Sequence, residues 1–313
     1  MQKSKVTAIS TSAIVDLNTD TGPVPIRMTN DYLFRALLQR NNRVLKSLIC
    51  SLLHLAANEI SSVEIANSIE LGAAIDEKEF ILDIKVHMNS SATITLEMQV
   101  INEHNWVDRS TCYLCRTYSN LNRGDDYTSA KTVIQIGLLD FTLFPEHPEF
   151  YATYKFINEK NFFVYSDKLR LSVVDLTHID LATEEDRRYG IDAWASFFKA
   201  KTWEELKMLA HNNPDIQEAV TTVYQLTQEE KIRQQCEARE DYYRRQNDVQ
   251  RWIRKQAETI KEQDNTIREL GDTIRERDDT IEDLKQAVGN QIEIINELRR
   301  QVAQLQSEHT SNS

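Results

Sequence analysis

The stretch FILDIKVHMNSSATITLEMQV occupies residues 80–100 and carries the pattern of two strands. Two runs in which apolar and polar residues alternate, 80–88 and 92–100, flank a short Asn-Ser-Ser segment. Alternation with a period of two is typical of strands, and Asn and Ser are common turn residues. The stretch therefore predicts an antiparallel β-hairpin.

The polar face of this predicted hairpin carries two acidic residues. Asp83 and Lys85 share one face of the first strand, and Glu97 and Gln99 share one face of the second. A turn centred near Ser90 places Asp83 opposite Glu97, and facing residues on paired strands have Cβ atoms about 4.5–5.5 Å apart. Two carboxylates at that distance repel each other unless a positive charge lies between them.

A hard divalent cation relieves this repulsion, because Mg²⁺ prefers oxygen ligands and is usually held by one or two carboxylates together with waters. The pattern predicts such a site at Asp83 and Glu97, with the carbonyl oxygen of Met98 as a third ligand. A cation there polarises a phosphodiester and acidifies a bound water. Gln99 is placed to orient that water, but an amide does not titrate. Removal of the proton therefore falls to the metal, which acidifies the water, or to Lys85. The alternative is that these side chains form the solvated outer face of a hairpin.

The chain divides by pattern into five segments. A flexible leader, a mixed α/β region, a polar helical segment, a coiled coil and a disordered tail are predicted for residues 1–25, 26–180, 181–245, 246–306 and 307–313. The mixed region opens with a predicted helix, which Thr29 or Asn30 caps. Asp31 follows in the first turn, where the helix dipole favours an acidic residue.

Residues 246–306 carry a heptad repeat. Position a is β-branched in eight successive heptads: Ile253, Ile260, Ile267, Ile274, Ile281, Val288, Ile295 and Val302. Position d holds leucine at 270, 284, 298 and 305, and Gln or Arg elsewhere. Ile or Val at a with Leu at d favours two parallel strands, so the repeat predicts a parallel coiled-coil homodimer. A lone solvated helix is the alternative, but it does not require eight β-branched residues in register.

The composition is that of an ordinary soluble protein, with a net charge of −12. DNA-binding proteins usually show a basic footprint, although a local basic face can meet phosphate in an acidic chain. No apolar run approaches the roughly 18 residues of a membrane span, so no membrane contact is predicted. Four unevenly spaced cysteines indicate reduced thiols and a cytoplasmic location. Cys112 and Cys115 are predicted to be packing thiols on a helix, because a zinc site needs four ligands.

Several blocks of the sequence, taken in order, resemble the PD-(D/E)XK nuclease-family transposases, also called recombination-promoting nucleases. The blocks are TND-YLFRALL, ILDIKV, ITLEMQV, RSTCYLCRTYSNL, RGDDYTSAKTVIQIGLLDF and LFPEHPEF, within residues 26–180 and more loosely to 245. The resemblance implies an α/β fold with a restriction-endonuclease-like core, in which helices flank a mixed central sheet. It also implies a bacterial enzyme that cleaves double-stranded DNA with Mg²⁺, for which Mn²⁺ is expected to substitute.

The resemblance assigns Asp83 as the aspartate of the signature and Glu97 as its acidic partner. Gln99 stands where the wider superfamily carries lysine, and no proline precedes Asp83. Asp31 matches the aspartate of the opening motif, which implies a further metal ligand from the first helix. Tyr127 matches another block of the family.

One predicted helix carries candidate DNA contacts. Arg109 and Tyr113 lie one helical turn apart, and Arg116 extends the same face. Such side chains are suited to phosphate contacts, and with Tyr127 they form the predicted DNA-binding set. A structural role for this helix is the alternative.

The sequence therefore predicts a Mg²⁺-dependent DNA endonuclease that acts in recombination, transposition or mobile-element biology. The alternative is an inactive nuclease fold kept as a binding or regulatory module on a coiled-coil scaffold. Gln99 and the acidic composition favour the alternative, and the carboxylates of Asp83 and Glu97 favour the enzyme.

Overall fold

The structure is a computed structural model that describes residues 17–67, 84–89, 91–119 and 124–311. The chain divides into two compact units, and the boundary lies between Asn247 and Asp248. In its described part the first unit contains a mixed six-stranded sheet with flanking helices. This is the α/β architecture that the sequence predicted.

The strands of the sheet lie in the order β1-β2-β3-β4-β6-β5. Their bounds are β1 (Val63–Ile65), β2 (Ile84–Met88), β3 (Ala92–Gln99), β4 (Thr132–Leu139), β5 (Tyr151–Ile157) and β6 (Val164–Asp175). The β3–β4 and β4–β6 pairs are parallel and the other three are antiparallel. The sheet is therefore mixed, with β3 and β4 in its interior.

The hairpin predicted from residues 80–100 is confirmed for its described part. Ile84 pairs with Leu96 and Lys85 pairs with Thr95, which is the register that the prediction assumed. Ile84 and Val86 are fully buried, whereas Lys85 is half-buried, so the predicted assignment of the two faces is also confirmed. Asp83 lies outside the described residues, and its position opposite Glu97 stays a prediction.

Helices cover the sheet and extend the chain. Their bounds are α1 (Asp31–Arg40), α2 (Asn42–Leu53), α3 (Trp106–Tyr118), α4 (Glu184–Tyr189), α5 (Ile191–Lys199), α6 (Trp203–Ala210), α7 (Pro214–Gln228) and α8 (Glu230–Ser311). Asn30 caps α1, as predicted, because its side chain accepts hydrogen bonds from the backbone N–H groups of Tyr32 and Leu33. Pro214 occupies the first turn of α7, where its missing N–H costs nothing.

The main hydrophobic core lies on the face of the sheet that carries Ile84, Ile94 and Leu96. Helices α1, α2, α5, α6 and α7 supply the other side of this core. Phe34 of α1 meets Phe198 of α5 edge to face, with ring centroids 5.5 Å apart. Helices α5, α6 and α7, which follow residue 181, thus share one core with the sheet.

The second unit is described as the continuation of α8 from residue 248 to 311. The helix predicted from the heptad repeat is therefore confirmed. Its a and d side chains form an exposed stripe, and those at position a are between 47% and 66% exposed. The coiled-coil partner that would cover this stripe stays a prediction.

Candidate active site

Glu97 lies on β3 with its side chain on the sheet face opposite the main core. Every described residue of β3 is buried, including the polar series Thr93, Thr95, Glu97 and Gln99. Glu97 is only 5% exposed. The alternative of a solvated hairpin face is therefore wrong for this strand. The physical reason is that β3 is an interior strand and α3 crosses its polar face.

A glycine lets α3 approach the sheet closely. Gly137 of β4 is directly beside Glu97, and a Cβ atom built on it would lie 2.1 Å from Cζ2 of Trp106. No side chain larger than hydrogen fits between the strand and the indole ring. Trp106 also packs with Leu139 and Val173 in a small second core. The contact fixes the start of α3, and with it the position of Arg109 one turn later.

Arg109 forms an ion pair with Glu97. Its Nη2 atom lies 2.7 Å from Oε1 of Glu97, and its Nη1 atom lies 3.9 Å from Oε2 of Glu103. A buried carboxylate is costly unless a positive charge and hydrogen bonds compensate it. Arg109 supplies that charge, so the guanidinium that the sequence assigned to DNA contacts the predicted metal ligand, and its contact with DNA stays a prediction.

The other predicted DNA contacts fall in two places. The ring of Tyr113 lies 5.5 Å from the guanidinium carbon of Arg109 and 6.0 Å from that of Arg116. These three side chains form one stripe along α3, as the spacing indicated. Tyr127 lies elsewhere, exposed on the short 3₁₀ helix Tyr127–Ser129.

Three other predicted site residues lie on the same two strands as Glu97 or beside it: Lys85 on β2, and Met98 and Gln99 on β3. Lys85 pairs with Thr95 and so shares the face of Glu97. The side chain of Met98 enters the main core, which leaves only its backbone carbonyl as a candidate ligand. The side-chain amide of Gln99 donates to the carbonyl oxygen of Ile101 at 3.2 Å. That hydrogen bond holds Gln99 at the end of β3.

Asp31 has a different partner from the one that the family resemblance implied. Arg239 of α8 donates to both carboxylate oxygens of Asp31, from Nε at 2.9 Å and from Nη2. Burial lowers the pKa of Arg239, but the hydrogen bond and charge of Asp31 outweigh it and hold the pKa above its ordinary value. Burial and the charge of Asp31 also raise the pKa of Tyr243, so this phenol stays protonated. The carboxylate thus ties α1 to α8, and its role as a metal ligand stays a prediction.

Tyr242 connects this ion pair to Arg109. Its ring lies 4.9 Å from the guanidinium carbon of Arg239. Burial raises the pKa of Tyr242, and the charge of Glu103, to which Tyr242 is hydrogen-bonded, raises it further. The contacts form one continuous polar chain: Glu97, Arg109, Glu103, Tyr242, Arg239 and Asp31. The sequence did not indicate Arg239 or Tyr242, because nothing local distinguishes a buried arginine from a solvated one on a polar helix.

The described residues fit a divalent cation only in part. The carboxylate of Glu97 is a hard oxygen donor of the kind that Mg²⁺ and Mn²⁺ bind. No group of three or more His, Cys, Asp or Glu side chains within the described ranges is arranged to hold a metal ion. Asp83, the other predicted ligand, lies outside those ranges. The chemistry of the donor fits the cation, and the complete ligand set stays a proposal.

The cysteines are free thiols. Cys50 and Cys236 are buried, whereas Cys112 and Cys115 are exposed on α3. The prediction that the last two pack in the core is wrong, because the buried face of α3 is the one that carries Trp106, Ser110 and Leu114. Burial raises the pKa of Cys236 far above its ordinary value, so it remains a neutral thiol.

No described helix is long and apolar enough to cross a membrane.

Comparison with known proteins identifies the family. The family model for the PD-(D/E)XK nuclease family transposase matches residues 28–285. A search of curated proteins and a search of solved structures found no match. The match extends well beyond residue 180, into the heptad region, and it agrees with the mixed sheet and flanking helices of a restriction-endonuclease-like fold. The chain therefore belongs to the PD-(D/E)XK nuclease family transposases, and its function is related to that of nucleases and transposases.

Proposed function

We propose that the chain is a divalent-cation-dependent endonuclease that hydrolyses phosphodiester bonds of double-stranded DNA during recombination or transposition. The observation that carries the proposal is Glu97. It is a carboxylate buried on an interior strand of a nuclease-family fold, with Arg109 at 2.7 Å to balance its charge. A carboxylate that only keeps the protein soluble would lie on the surface, because Glu is almost never fully buried unless it is paired.

Asp83, Glu97 and the carbonyl oxygen of Met98 would hold Mg²⁺ or Mn²⁺. A cation held by these residues would supply Lewis-acid chemistry, which would polarise the phosphodiester and acidify a water. Gln99 orients the attacking water, and Lys85, on the same sheet face as Glu97, is the side chain that can accept its proton. Asp31 is left out of this ligand set, because Arg239 already bonds both of its oxygens.

The proposed phosphate-contacting stripe on α3 consists of Arg109, Tyr113 and Arg116. Arg109 has a second role, because it neutralises Glu97. A guanidinium suits both partners, since it forms paired hydrogen bonds with carboxylate and with phosphate. We further propose that the protein works in the bacterial cytoplasm, which the four free cysteines support.

The first test is cleavage of supercoiled plasmid DNA by the purified protein. We expect nicking with Mg²⁺ and with Mn²⁺, and none with EDTA. The Asp83→Ala protein should be inactive, because one of two carboxylate ligands is lost. Cleavage that persists in EDTA or in Asp83→Ala would contradict the metal site. A folded protein that never cleaves would favour the inactive binding module.

The proposed assembly is a homodimer through the heptads of α8. The exposed stripe of β-branched side chains supports it, because such a stripe is normally covered by a partner helix. A parallel dimer would join two nuclease units in one particle, suited to one nick on each strand.

Charges placed in the stripe should separate the dimer. We expect Ile267→Asp with Ile274→Asp to convert the protein from dimer to monomer in sedimentation equilibrium, because two charges would be buried in the seam. Asn265→Asp with Gln286→Asp adds the same charges at heptad position f, which faces solvent, and should remain dimeric. A wild-type monomer would refute the assembly.

A further inference from the structure

The β5–β6 hairpin concentrates exposed aromatic side chains. More than half of the exposed large apolar residues described between 17 and 247 lie on this hairpin, on β5, on β6 or in the turn between them. Tyr165 is 86% exposed and Phe162 is 72% exposed, with Phe163 and Phe156 beside them. A concentration of exposed apolar side chains on one hairpin is typical of an interaction site.

The tip of the hairpin is built rigidly. Asn158 and Phe163 are joined by a backbone hydrogen bond of 2.8 Å, and the N–H of Phe162 donates to the carbonyl of Asn158 at 2.8 Å. Phe162 has a φ of 58°, in the left-handed region that a bulky residue rarely adopts. The turn therefore holds its phenylalanines outward in a defined conformation.

The same hairpin is locally basic. Residues 151–170 carry four basic and two acidic residues, a net charge of +2 in a chain of −12. Lys155 on β5 pairs directly with Arg170 on β6, so two cations face each other. Like charges at such positions repel. Neither has an ion-pair partner among the described residues, so the pair attracts an anion from outside.

Lys168 attaches a further aromatic residue to this surface. Its Nζ atom donates to the carbonyl oxygens of Thr128 at 3.0 Å and Ala130 at 2.8 Å. These bonds hold the 3₁₀ turn that carries the exposed Tyr127 against β6. Tyr127, which the sequence assigned to DNA, therefore belongs to the hairpin surface and lies apart from α3.

We propose that this surface binds single-stranded DNA. The basic-aromatic hairpin consists of Tyr127, Lys155, Phe156, Phe162, Phe163, Tyr165 and Arg170. Aromatic side chains stack on unpaired bases while neighbouring cations contact phosphates, a combination that tracks single strands without reading sequence. A duplex offers no base faces to stack on. The unpaired cations favour a nucleic acid over a protein partner, whose apolar surface would not compensate them.

This proposal rests on the proposed nuclease function, and it narrows the kind of DNA that the nuclease would cleave. Glu97, Gly137 and Val173 lie in one row across the sheet. The nine steps along β6 from Val173 back to Val164 span about 30 Å at about 3.3 Å per residue. The substrate is therefore a duplex that carries an unpaired segment about 30 Å from the cleaved bond.

The test is the binding of fluorescein-labelled oligothymidine in EDTA, followed by anisotropy, so that cleavage plays no part. Phe162→Ala, Phe163→Ala and Tyr165→Ala should each weaken binding at least about fivefold, the factor for about 1 kcal/mol of stacking. Lys155→Ala with Arg170→Ala should reduce the slope of log affinity against log salt by about 1.4, which corresponds to two phosphate contacts. Met208→Ala removes an exposed side chain of α6 and should bind like wild type.

Circular dichroism melting of every variant separates loss of binding from loss of folding. Wild-type protein that does not bind oligothymidine would overturn the proposal, and so would folded hairpin variants that bind as wild type does. Hairpin variants that change only self-association would overturn it too, and would identify a protein-binding surface. Hairpin-dependent binding by a protein that cleaves neither plasmid nor a duplex with an unpaired segment would refute the proposed nuclease activity, and it would leave only the binding of single strands standing.

Discussion

The Glu97→Ala protein is expected to nick supercoiled plasmid more than about a hundredfold more slowly than wild type. Changes to groups that merely support a metal ligand cost about 10–100-fold, and Glu97 is proposed as a ligand itself. Calorimetry should show a matching loss of Mn²⁺ binding. The substitution also leaves the half-buried Arg109 without its nearest carboxylate, which destabilises the site.

Two variants separate these effects. Glu97→Gln keeps an oxygen that accepts a hydrogen bond from Arg109 but removes the negative charge, so it should fold and still fail to cleave. Glu64→Ala removes an exposed glutamate from β1 of the same sheet and should cleave like wild type. A folded Glu97→Gln protein with wild-type cleavage would remove Glu97 from the active site.

The Asp31→Ala protein is expected to lose about 3–5 kcal/mol of unfolding free energy, because it leaves the Arg239 guanidinium buried without its partner. Side chains of both residues are almost fully buried. Urea denaturation followed by circular dichroism measures the loss. Arg43→Ala breaks a more exposed ion pair, with Asp215, and should cost less than about 1 kcal/mol.

A double variant tests whether the ion pair is structural. Asp31→Leu with Arg239→Met replaces both charges by apolar groups and should recover most of the stability, as such exchanges are often neutral. If Asp31 is also a metal ligand, the double variant will fold but will not cleave DNA, because the carboxylate is missing, whereas a purely structural Asp31 leaves the double variant able to cleave. The two roles therefore predict opposite results.

Local pattern was sufficient for much of the fold. The alternation in residues 80–100 predicted the β2–β3 hairpin, its register and its apolar face, because side chains on a strand alternate with a period of two. Asn30 predicted the start of α1, because a capping residue acts within its own turn. The heptads predicted the long helix α8, because a seven-residue repeat is also a pattern within one element.

Long-range contacts changed how the site residues are interpreted. The sequence placed Arg109 and Glu97 in separate sets, one for DNA and one for metal, and the structure joins them at 2.7 Å. Gly137 is the local sign of this contact, since an isolated glycine within a strand indicates the close approach of another element. It marks where α3 meets the sheet.

The order of several sequence blocks was sufficient for the nuclease family. The hairpin that carries Glu97 and the heptad helix followed from local pattern, because each rests on residues close together in the chain. The interior position of β3 and the burial of its polar face depend on long-range packing, since its parallel partner β4 begins 40 residues later. The same holds for Asp31, whose partner Arg239 is 208 positions away. The pairing of distant charges depends on how elements pack, and no periodicity within one element records it.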